Sequence, residues 1–218
     1  IYEKAVADAK AADTPEKRRG VGIAWGGFNV TEGGGDSAEV ALELMPGNKI
    51  RKYDTWHAMG QGATTGSLVV TLEALKEMHL TPEDIQLIQN DTKTCPDTGM
   101  AGASRSLYMD GNATIIAANK LLAAMRKEDG TLRTYDEMKA EGIETKYLGR
   151  YETNTTPGLC RLDPNTGIGD PTPAFTYCLN LAEVEVDTKT GKTTVLKFTC
   201  VDFVGRIGNI DAVNGQAY

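Results

Sequence analysis

The sequence is poor in the residues that usually hold metal ions. Its 218 residues include four cysteines and two histidines, and no two cysteines form a Cys-x-x-Cys pair. A zinc or iron–sulfur site built from this chain alone is therefore not expected. A chain of this length also has enough core to fold without a disulfide framework. We predict a cytoplasmic protein, with the periplasm as the alternative, and free thiols at Cys95, Cys160, Cys178 and Cys200.

The sequence also lacks an excess of basic charge and any long apolar run. It has 23 Lys and Arg against 30 Asp and Glu, which gives a net charge of −7. An acidic balance disfavours binding to nucleic acid and to anionic membranes. No stretch approaches the ~20 apolar residues of a membrane-spanning helix. We therefore expect neither a nucleic-acid partner nor a membrane partner.

The common nucleotide-binding and hydrolase motifs are missing as well. Gly60, Gly62 and Gly66 have the wrong spacing for the dinucleotide fingerprint, and no Gly-Lys-Ser/Thr follows them as in a P-loop. Neither His57 nor His79 stands in a Ser-His-Asp order with supporting motifs. We accordingly name no catalytic residue and no metal ligand in this chain.

Alternating and helical apolar patterns predict an α+β fold, with mixed and antiparallel strands packed against helices. Trp25 and Trp56 are expected in the core, and residues 211–218 show neither pattern. The chain is interpreted as one region, 1–218, with an internal break near residues 152–175. We expect strands at residues 20–28 (buried), 37–45, 49–56, 85–89, 146–151, 176–186 and 193–203, and helices at residues 1–17, 67–78, 105–127 and 134–141.

Two of these elements carry an apolar face that the sequence makes explicit. Ala38, Val40, Leu42 and Leu44 alternate along the second strand, which predicts that they face the core. In the helix at residues 67–78 the apolar stripe consists of Leu68, Leu72 and Leu75.

What the sequence has in excess is glycine, with 24 residues. Two segments run from a strand through glycines into a helix, at Gly60-Gln61-Gly62-Ala63 and at residues 99–104. A helix N-terminus offers unpaired N–H groups and partial positive charge, and glycine lets a ligand approach the backbone. Either segment alone is more often plain turn and cap chemistry. Two of them close in sequence predict a site that grips separate groups of one large phosphorylated cofactor.

The segment Tyr-Asp-Thr-Trp-His-Ala-Met-Gly-Gln-Gly-Ala at residues 53–63 resembles the molybdenum-binding region of the xanthine oxidase family. Within that family it is most similar to bacterial aldehyde oxidoreductases that carry molybdopterin cytosine dinucleotide. The likeness runs nearly end to end. It continues at residues 20–32, 90–96, 102–105, 111–113, 182–191 and 214–216.

The resemblance implies that this chain is part of a larger molybdopterin-binding domain and assigns its cofactor-binding residues. Residues 59–63 would wrap the pterin and its phosphate, and residues 90–105 would hold the dinucleotide part. The cofactor-binding positions implied are Met59, Gly60, Gln61, Gly62, Ala63, Thr98 and Ser104.

The resemblance further implies a molybdenum hydroxylase that oxidises aldehydes to carboxylic acids with water as the oxygen source. The catalytic glutamate and the 2Fe-2S clusters would lie elsewhere in the full enzyme, so the chain is expected to be inactive alone. The implied partners are an aldehyde, the remainder of the same polypeptide or subunit, an electron acceptor and a second copy in a homodimer. Two alternatives stay open: a purine or N-heterocycle hydroxylase of the same family, and a non-catalytic anion-binding module.

Overall fold

A computed structural model describes residues 1–31, 35–89, 91–153, 158 and 162–218. These residues form two compact units, one of residues 1–28, 175–206 and 217, the other of residues 29–174, 207–216 and 218. This division does not test the internal break near residues 152–175, which stays a prediction. The helices are α1 (Tyr2–Ala11), α2 (Ala63–Ala74), α3 (Arg105–Met125), α4 (Tyr135–Ala140) and α5 (Ile210–Gly215). The strands are β1 (Lys17–Val30), β2 (Ser37–Met45), β3 (Lys49–Asp54), β4 (Ile85–Gln89), β5 (Lys146–Glu152), β6 (Ala174–Asp187) and β7 (Thr193–Phe203).

The smaller unit is built on a three-stranded sheet in the order β1-β6-β7. β6 and β7 pair antiparallel from Tyr177↔Phe203 to Val186↔Thr193, which confirms the predicted hairpin. Its turn closes where the Gly191 N–H donates to the Asp187 carbonyl at 2.8 Å. Gly191 has a φ of +71°, a backbone angle that residues with a Cβ rarely adopt.

The prediction of a buried first strand was wrong. The strand exists as β1, but most of its residues are exposed, and Trp25 keeps 79% of its surface. The run from Gly20 to Phe28 contains no charged residue that would mark a solvent face. A local apolar pattern does not specify which element packs against the strand, so it does not by itself determine burial.

The larger unit is built on a four-stranded sheet in the order β4-β3-β2-β5. β2 runs antiparallel to both β3 and β5, whereas β3 and β4 are parallel. The predicted core face of β2 is confirmed, since Ala38, Val40, Leu42 and Leu44 are all buried. With the helices packed on this face, the observed architecture is the predicted α+β fold.

Gly149 sets how closely α3 approaches the sheet. A Cβ added there would overlap the Ala113 carbonyl oxygen and lie 2.5 Å from the Ala117 backbone nitrogen. Ala113 and Ala117 are small and fully buried, so the α3 backbone rests almost directly on β5. Any larger residue at Gly149 would push the helix off the sheet.

Several helix boundaries and faces differ from those expected. α1 ends at Ala11, and α2 begins at Ala63 rather than at Ser67. Of the expected stripe of leucines, Leu75 is fully buried, whereas Leu68 and Leu72 are only partly buried. The buried residues within α2 itself are Ala63, Ser67 and Thr71. Ser67 donates to the Asp54 carboxylate at the end of β3, and the Thr71 hydroxyl donates to the Ser67 carbonyl.

The two short helices, α4 and α5, differ in how well the sequence predicted them. Contrary to expectation, residues 211–218 include most of α5, whose first turn is capped by the Asn209 side chain. α4 follows its predicted cap, since Thr134 and Glu137 form a capping box. None of the helices in the described ranges combines the length and apolarity required to cross a bilayer.

Three of the four thiols predicted to be free lie in the described ranges. Cys95, Cys178 and Cys200 are unbridged, which confirms the prediction for them. Cys160 lies outside the described residues.

Candidate functional site

The first glycine loop (residues 55–62) leads from the end of β3 to the start of α2. Gly60 and Gly62 have φ angles of +104° and +82°, which residues with a Cβ adopt only under strain. A Cβ built at either position meets nothing within 4 Å, so the requirement for glycine is one of backbone conformation beside open space. Met59 lies in the same stretch and is exposed.

Gln61 closes this loop on itself. Its Oε1 accepts a hydrogen bond from the Met59 N–H at 2.6 Å, and its Nε2 donates to the His57 carbonyl at 3.2 Å. The side chain is exposed, so these bonds face solvent. Gln61 therefore shapes the loop through its own side chain.

α2 begins without a side-chain cap. Its N-cap residue is Gly62, in the left-handed conformation, and no side-chain hydrogen bond satisfies the first turn in the described residues. α4 and α5, by contrast, are capped by Thr134 and Asn209. The first-turn N–H groups of α2 are thus left for water or for an anion.

The second glycine loop (residues 91–104) leads into α3 in the same manner. Ala103 and Ser104 have φ angles of +46° and +51°, two successive left-handed residues that are not glycine. Such backbone strain persists only where surrounding contacts enforce it, and one contact is the hydrogen bond from the Thr31 N–H to the Ala103 carbonyl at 2.8 Å. Ser104 is exposed and, as the N-cap residue of α3, makes no side-chain cap bond.

Thr55 and Thr98 join the two loops. The Thr55 N–H donates to Thr98 Oγ1 at 2.9 Å, and the Thr98 N–H donates to Thr55 Oγ1 at 3.1 Å. The Thr98 hydroxyl also donates to the Glu39 carbonyl at 3.0 Å, and Thr98 is only 3% exposed. The cofactor contact predicted for Thr98 stays a prediction, because its hydroxyl serves the protein in this structure.

The Arg105 side chain fixes the backbone of the second glycine loop. Its Nη1 donates to the carbonyls of Thr98 and Met100, at 2.9 and 2.8 Å. Its Nε and Nη2 form a bidentate pair with Asp36, both at 2.7 Å. A Cβ at Gly99 would lie 2.8 Å from two guanidinium nitrogens, so this position is filled by Arg105.

The partner of Arg105 is a carboxylate held in its ionised form. Burial opposes ionisation of Asp36, but hydrogen bonds from Arg105 and Thr31 outweigh it and keep the pKa of Asp36 below its usual value. Arg105 is buried and Asp36 partly so, and a pair of this kind is costly to break on one side only, because the remaining charge is left uncompensated.

A cluster of three fully buried charged residues, Lys52, Asp54 and Asp110, lies beneath the first glycine loop; we call it the buried triad. Each of the three side chains is 0% exposed. Lys52 Nζ lies 2.8 Å from Asp110 Oδ1 and 3.2 Å from Asp54 Oδ2. Sequence reasoning missed the triad. The signal in the sequence was the alternation along the strand, which places the charged Lys52 and Asp54 on the same face as the apolar Ile50.

Asp54 connects the triad to the surrounding elements. Its Oδ1 accepts from Gln89 Nε2 at 2.8 Å and from the Trp56 N–H at 3.4 Å. Its Oδ2 accepts from Ser67 Oγ at 2.8 Å. Gln89 ends β4, Ser67 belongs to α2, and Trp56 belongs to the first glycine loop, so one carboxylate ties three segments together.

Trp56 is a core residue, as predicted. Its ring lies 5.3 Å from Lys52 Nζ, and a Cβ at Gly66 would meet the indole at 3.5 Å. The contact at Gly66 brings α2 against the tryptophan, while the ammonium group lies over the ring face.

Asp110 is the unusual member of the triad. Burial raises the pKa of Asp110 to about 6; Lys52 counteracts this effect and Asp54 reinforces it. Asp110 Oδ1 accepts from Thr114 Oγ1 at 3.1 Å, whereas Oδ2 has no hydrogen-bond partner among the described residues. This orphaned oxygen marks a place where the protein retains a costly polar group.

The predicted site residues thus fall on two loops that the structure brings together. Residues 59–63 lie on the first glycine loop and at the start of α2, and Ser104 lies at the corresponding point before α3. His57 is exposed beside them. Glu32 and Asn90, which end and begin two of the segments that carry the resemblance (residues 20–32 and 90–96), lie outside the described residues. Over the described ranges no group of three His, Cys, Asp or Glu side chains could hold a metal ion. The arrangement can bind anions through backbone N–H groups at two linked helix N-termini.

Comparison with known proteins gives matches over most or all of the chain. Residues 1–218 match the family described as molybdopterin cofactor-binding domain. The chain is 36% identical over 217 residues to the aldehyde oxidoreductase of Megalodesulfovibrio gigas, which covers 100% of this chain and 24% of that protein. It is 30% identical over 174 residues to the probable hypoxanthine oxidase of Escherichia coli K12, which covers 74% of this chain and 18% of that protein.

A solved structure agrees with the sequence matches. The aldehyde oxidoreductase from Desulfovibrio desulfuricans ATCC 27774 superposes with a TM-score of 0.91 at 39% identity, over 99% of this chain and 23% of that chain. This chain therefore spans about a quarter of the length of these aldehyde oxidoreductases. The family match over residues 1–218 and the shared fold confirm the resemblance seen in the sequence. The chain belongs to the molybdopterin cofactor-binding domain family, found in molybdenum enzymes related to xanthine oxidase.

Proposed function

We propose that this chain binds a molybdopterin cofactor through its two glycine loops, as part of an enzyme that oxidises aldehydes to carboxylic acids. The observation that carries the proposal is the link between Thr55 and Thr98, which joins two uncapped helix N-termini into one anion-binding surface. When bound, the molybdenum cofactor supplies the oxidation chemistry. The chain's own residues bind the cofactor and orient it.

The residues present fit such a cofactor. Its phosphates are anions, and the first turns of α2 and α3 offer N–H groups that no side-chain cap occupies in the described residues. Open space beside Gly60 and Gly62 allows a ligand to contact the backbone directly. We assign the pterin and its phosphate to Met59, Gly60, Gln61, Gly62 and Ala63.

We further propose the cytosine dinucleotide form of the cofactor. A dinucleotide has a pyrophosphate and a second sugar, so it needs more anion contacts than a pterin with one phosphate. The second glycine loop supplies them at the start of α3, and we assign Ser104 and Thr98 to this part. The Thr98 hydroxyl, N–H and carbonyl are already bonded to Thr55, Glu39 and Arg105, so Thr98 would act by holding the loop in place against the cofactor.

The choice of an aldehyde substrate rests on the relatives. Identity to an aldehyde oxidoreductase extends over the whole chain, whereas identity to the probable hypoxanthine oxidase is lower and covers 74% of it. Purine hydroxylation is therefore the second candidate.

For the full enzyme we also propose 2Fe-2S clusters, a catalytic base, an electron acceptor and a homodimer contact. We propose that this enzyme lies in the cytoplasm.

The experiment is a cofactor analysis of the full-length protein that carries this segment. Metal analysis should give about one molybdenum per polypeptide, and acid treatment should release about one equivalent of CMP. Benzaldehyde should be oxidised with a dye as electron acceptor. A protein that carries neither molybdenum nor nucleotide would instead support the anion-binding module, and turnover of hypoxanthine without turnover of benzaldehyde would support the purine enzyme.

A pair of substitutions at Gly62 tests the loop itself. Gly62→Val should lower molybdenum and CMP content severely, because a β-branched residue at a φ of +82° is strained and fills the open space. Gly62→Asn is the matched control, because asparagine tolerates the left-handed region better than other residues. Equal occupancy in both variants would contradict the role of this backbone conformation.

A further inference from the structure

The helix-facing residues of β3 change from apolar to charged toward the first glycine loop. Ile50, Lys52 and Asp54 are each fully buried, and Leu42 lies opposite Lys52 in the strand pairing. A buried charge is costly unless it is fully paired, and apolar residues of similar size often give equal or greater stability. Stability alone therefore does not explain why these positions are charged.

The position of the triad supplies a reason. β3 and β4 are parallel, and their last residues, Asp54 and Gln89, are register partners. Ligands of sheets with parallel strands bind beyond the carboxyl ends of the strands, which is where the first glycine loop begins. Asp54 accepts hydrogen bonds there from Trp56, Ser67 and Gln89 in addition to its ion pair with Lys52.

We propose that the buried triad consists of positioning residues for the first glycine loop: through Asp54 and Lys52 it fixes where the chain leaves β3 and where α2 begins. This inference rests on the proposed function, because the loop is positioned for the cofactor. Asp54 sets the Trp56 backbone and Ser67 of α2 at opposite ends of the loop. Lys52 holds Asp54 and, through Asp110, anchors it to α3.

The chemistry of Asp54 makes the role specific. The groups that contact its two oxygens are all hydrogen-bond donors. They are the Trp56 backbone N–H, the Ser67 hydroxyl, the Gln89 side-chain NH₂ and the Lys52 ammonium group. A carboxylate accepts through both oxygens, whereas an asparagine of the same shape presents an NH₂ group to at least one donor. Asp54→Asn therefore keeps the volume but breaks the network on one side.

The test uses the full-length holoenzyme with Asp54→Asn, Lys52→Met and the milder Ser67→Ala, which removes only one hydroxyl. Leu121→Ala is the matched control, because Leu121 is equally buried but belongs to the apolar core cluster. Molybdenum and CMP per polypeptide are measured on folded protein, together with the rate at which CMP-containing cofactor is lost on dilution.

We expect cofactor content to fall about tenfold or more in Asp54→Asn and Lys52→Met, and several-fold in Ser67→Ala, as the loss of hydrogen bonds to a charged group implies. Leu121→Ala should keep its cofactor content despite a comparable fall in thermal midpoint. Full occupancy in Asp54→Asn and Ser67→Ala, or an equal loss in Leu121→Ala, would overturn the positioning role. A wild-type protein without molybdenum would overturn the proposed function, and this inference with it.

Discussion

Thr55 and Thr98 bond to each other twice, each through its backbone N–H and its side-chain oxygen, at 2.9 and 3.1 Å. The two threonines belong to loops that follow different strands, so this exchange fixes the relative position of two helix N-termini. Two helix N-termini held in this way can contact two groups of a single ligand, which independent loops would do only at an added entropic cost.

The first prediction concerns this link. Thr98→Val keeps the side-chain volume but removes the oxygen that accepts from the Thr55 N–H, which costs about 1–3 kcal/mol when a buried donor is left unsatisfied. Nucleotide content of the full-length protein should fall. The control is Thr194→Val on the exposed strand β7, which should leave both stability and nucleotide content near wild type. Normal CMP content in Thr98→Val would show that the loops keep their places without the link.

The second prediction concerns Gln61, which we expect to hold the loop and cofactor rather than to react. An amide cannot act as a base near neutral pH. Gln61→Ala removes the bonds to Met59 and His57 and should lower molybdenum and nucleotide occupancy. Activity per bound molybdenum should fall much less. Full occupancy combined with a loss of activity by orders of magnitude would place Gln61 in the chemistry instead.

The third prediction separates backbone strain from steric overlap. Gly99 and Gly130 have similar φ angles, +79° and +86°, but a Cβ meets the Arg105 guanidinium only at Gly99. Gly130→Ala should cost only the strain of the left-handed conformation, about 1 kcal/mol. Gly99→Ala should cost more, because it also displaces Arg105 from Asp36, and thermal unfolding of both variants measures the difference. Equal destabilisation would mean that Arg105 moves aside freely.

The fourth prediction concerns pH. The pKa of Asp110 is raised from 3.8 to about 6 by burial, so the folded state binds more protons than the unfolded state between these values. The contribution of this group to stability is therefore fully present below pH ~4 and is lost as the pH rises to about 6, by about 3 kcal/mol in all. Lys52 and Asp54 are the charged groups packed against it.

Hydrogen exchange of the α3 amides, corrected for intrinsic rates, measures this effect between pH 4 and 7. Protection of α3 should decline with rising pH in the wild type. In Asp110→Asn the decline should be absent, because the amide does not titrate. An identical pH dependence in both proteins would assign the change to another group.

The sequence by itself determined much of this protein. Local alternation and capping residues gave β2, the hairpin of β6 and β7, and the Thr134 cap of α4, because these features depend on neighbours in the chain. The motif at residues 53–63 was specific enough to indicate the family by itself.

Only the tertiary structure decided the rest. Burial depends on what packs against an element, so the apolar β1 proved exposed and the polar Ser67 and Thr71 proved buried. The link between Thr55 and Thr98 and the buried triad join residues far apart in the chain, and no local pattern encodes such contacts. The charge of Lys52 and Asp54 was visible in the sequence, but that these charges lie in the core beneath the glycine loop follows only from the packing of α2 and α3 on the sheet.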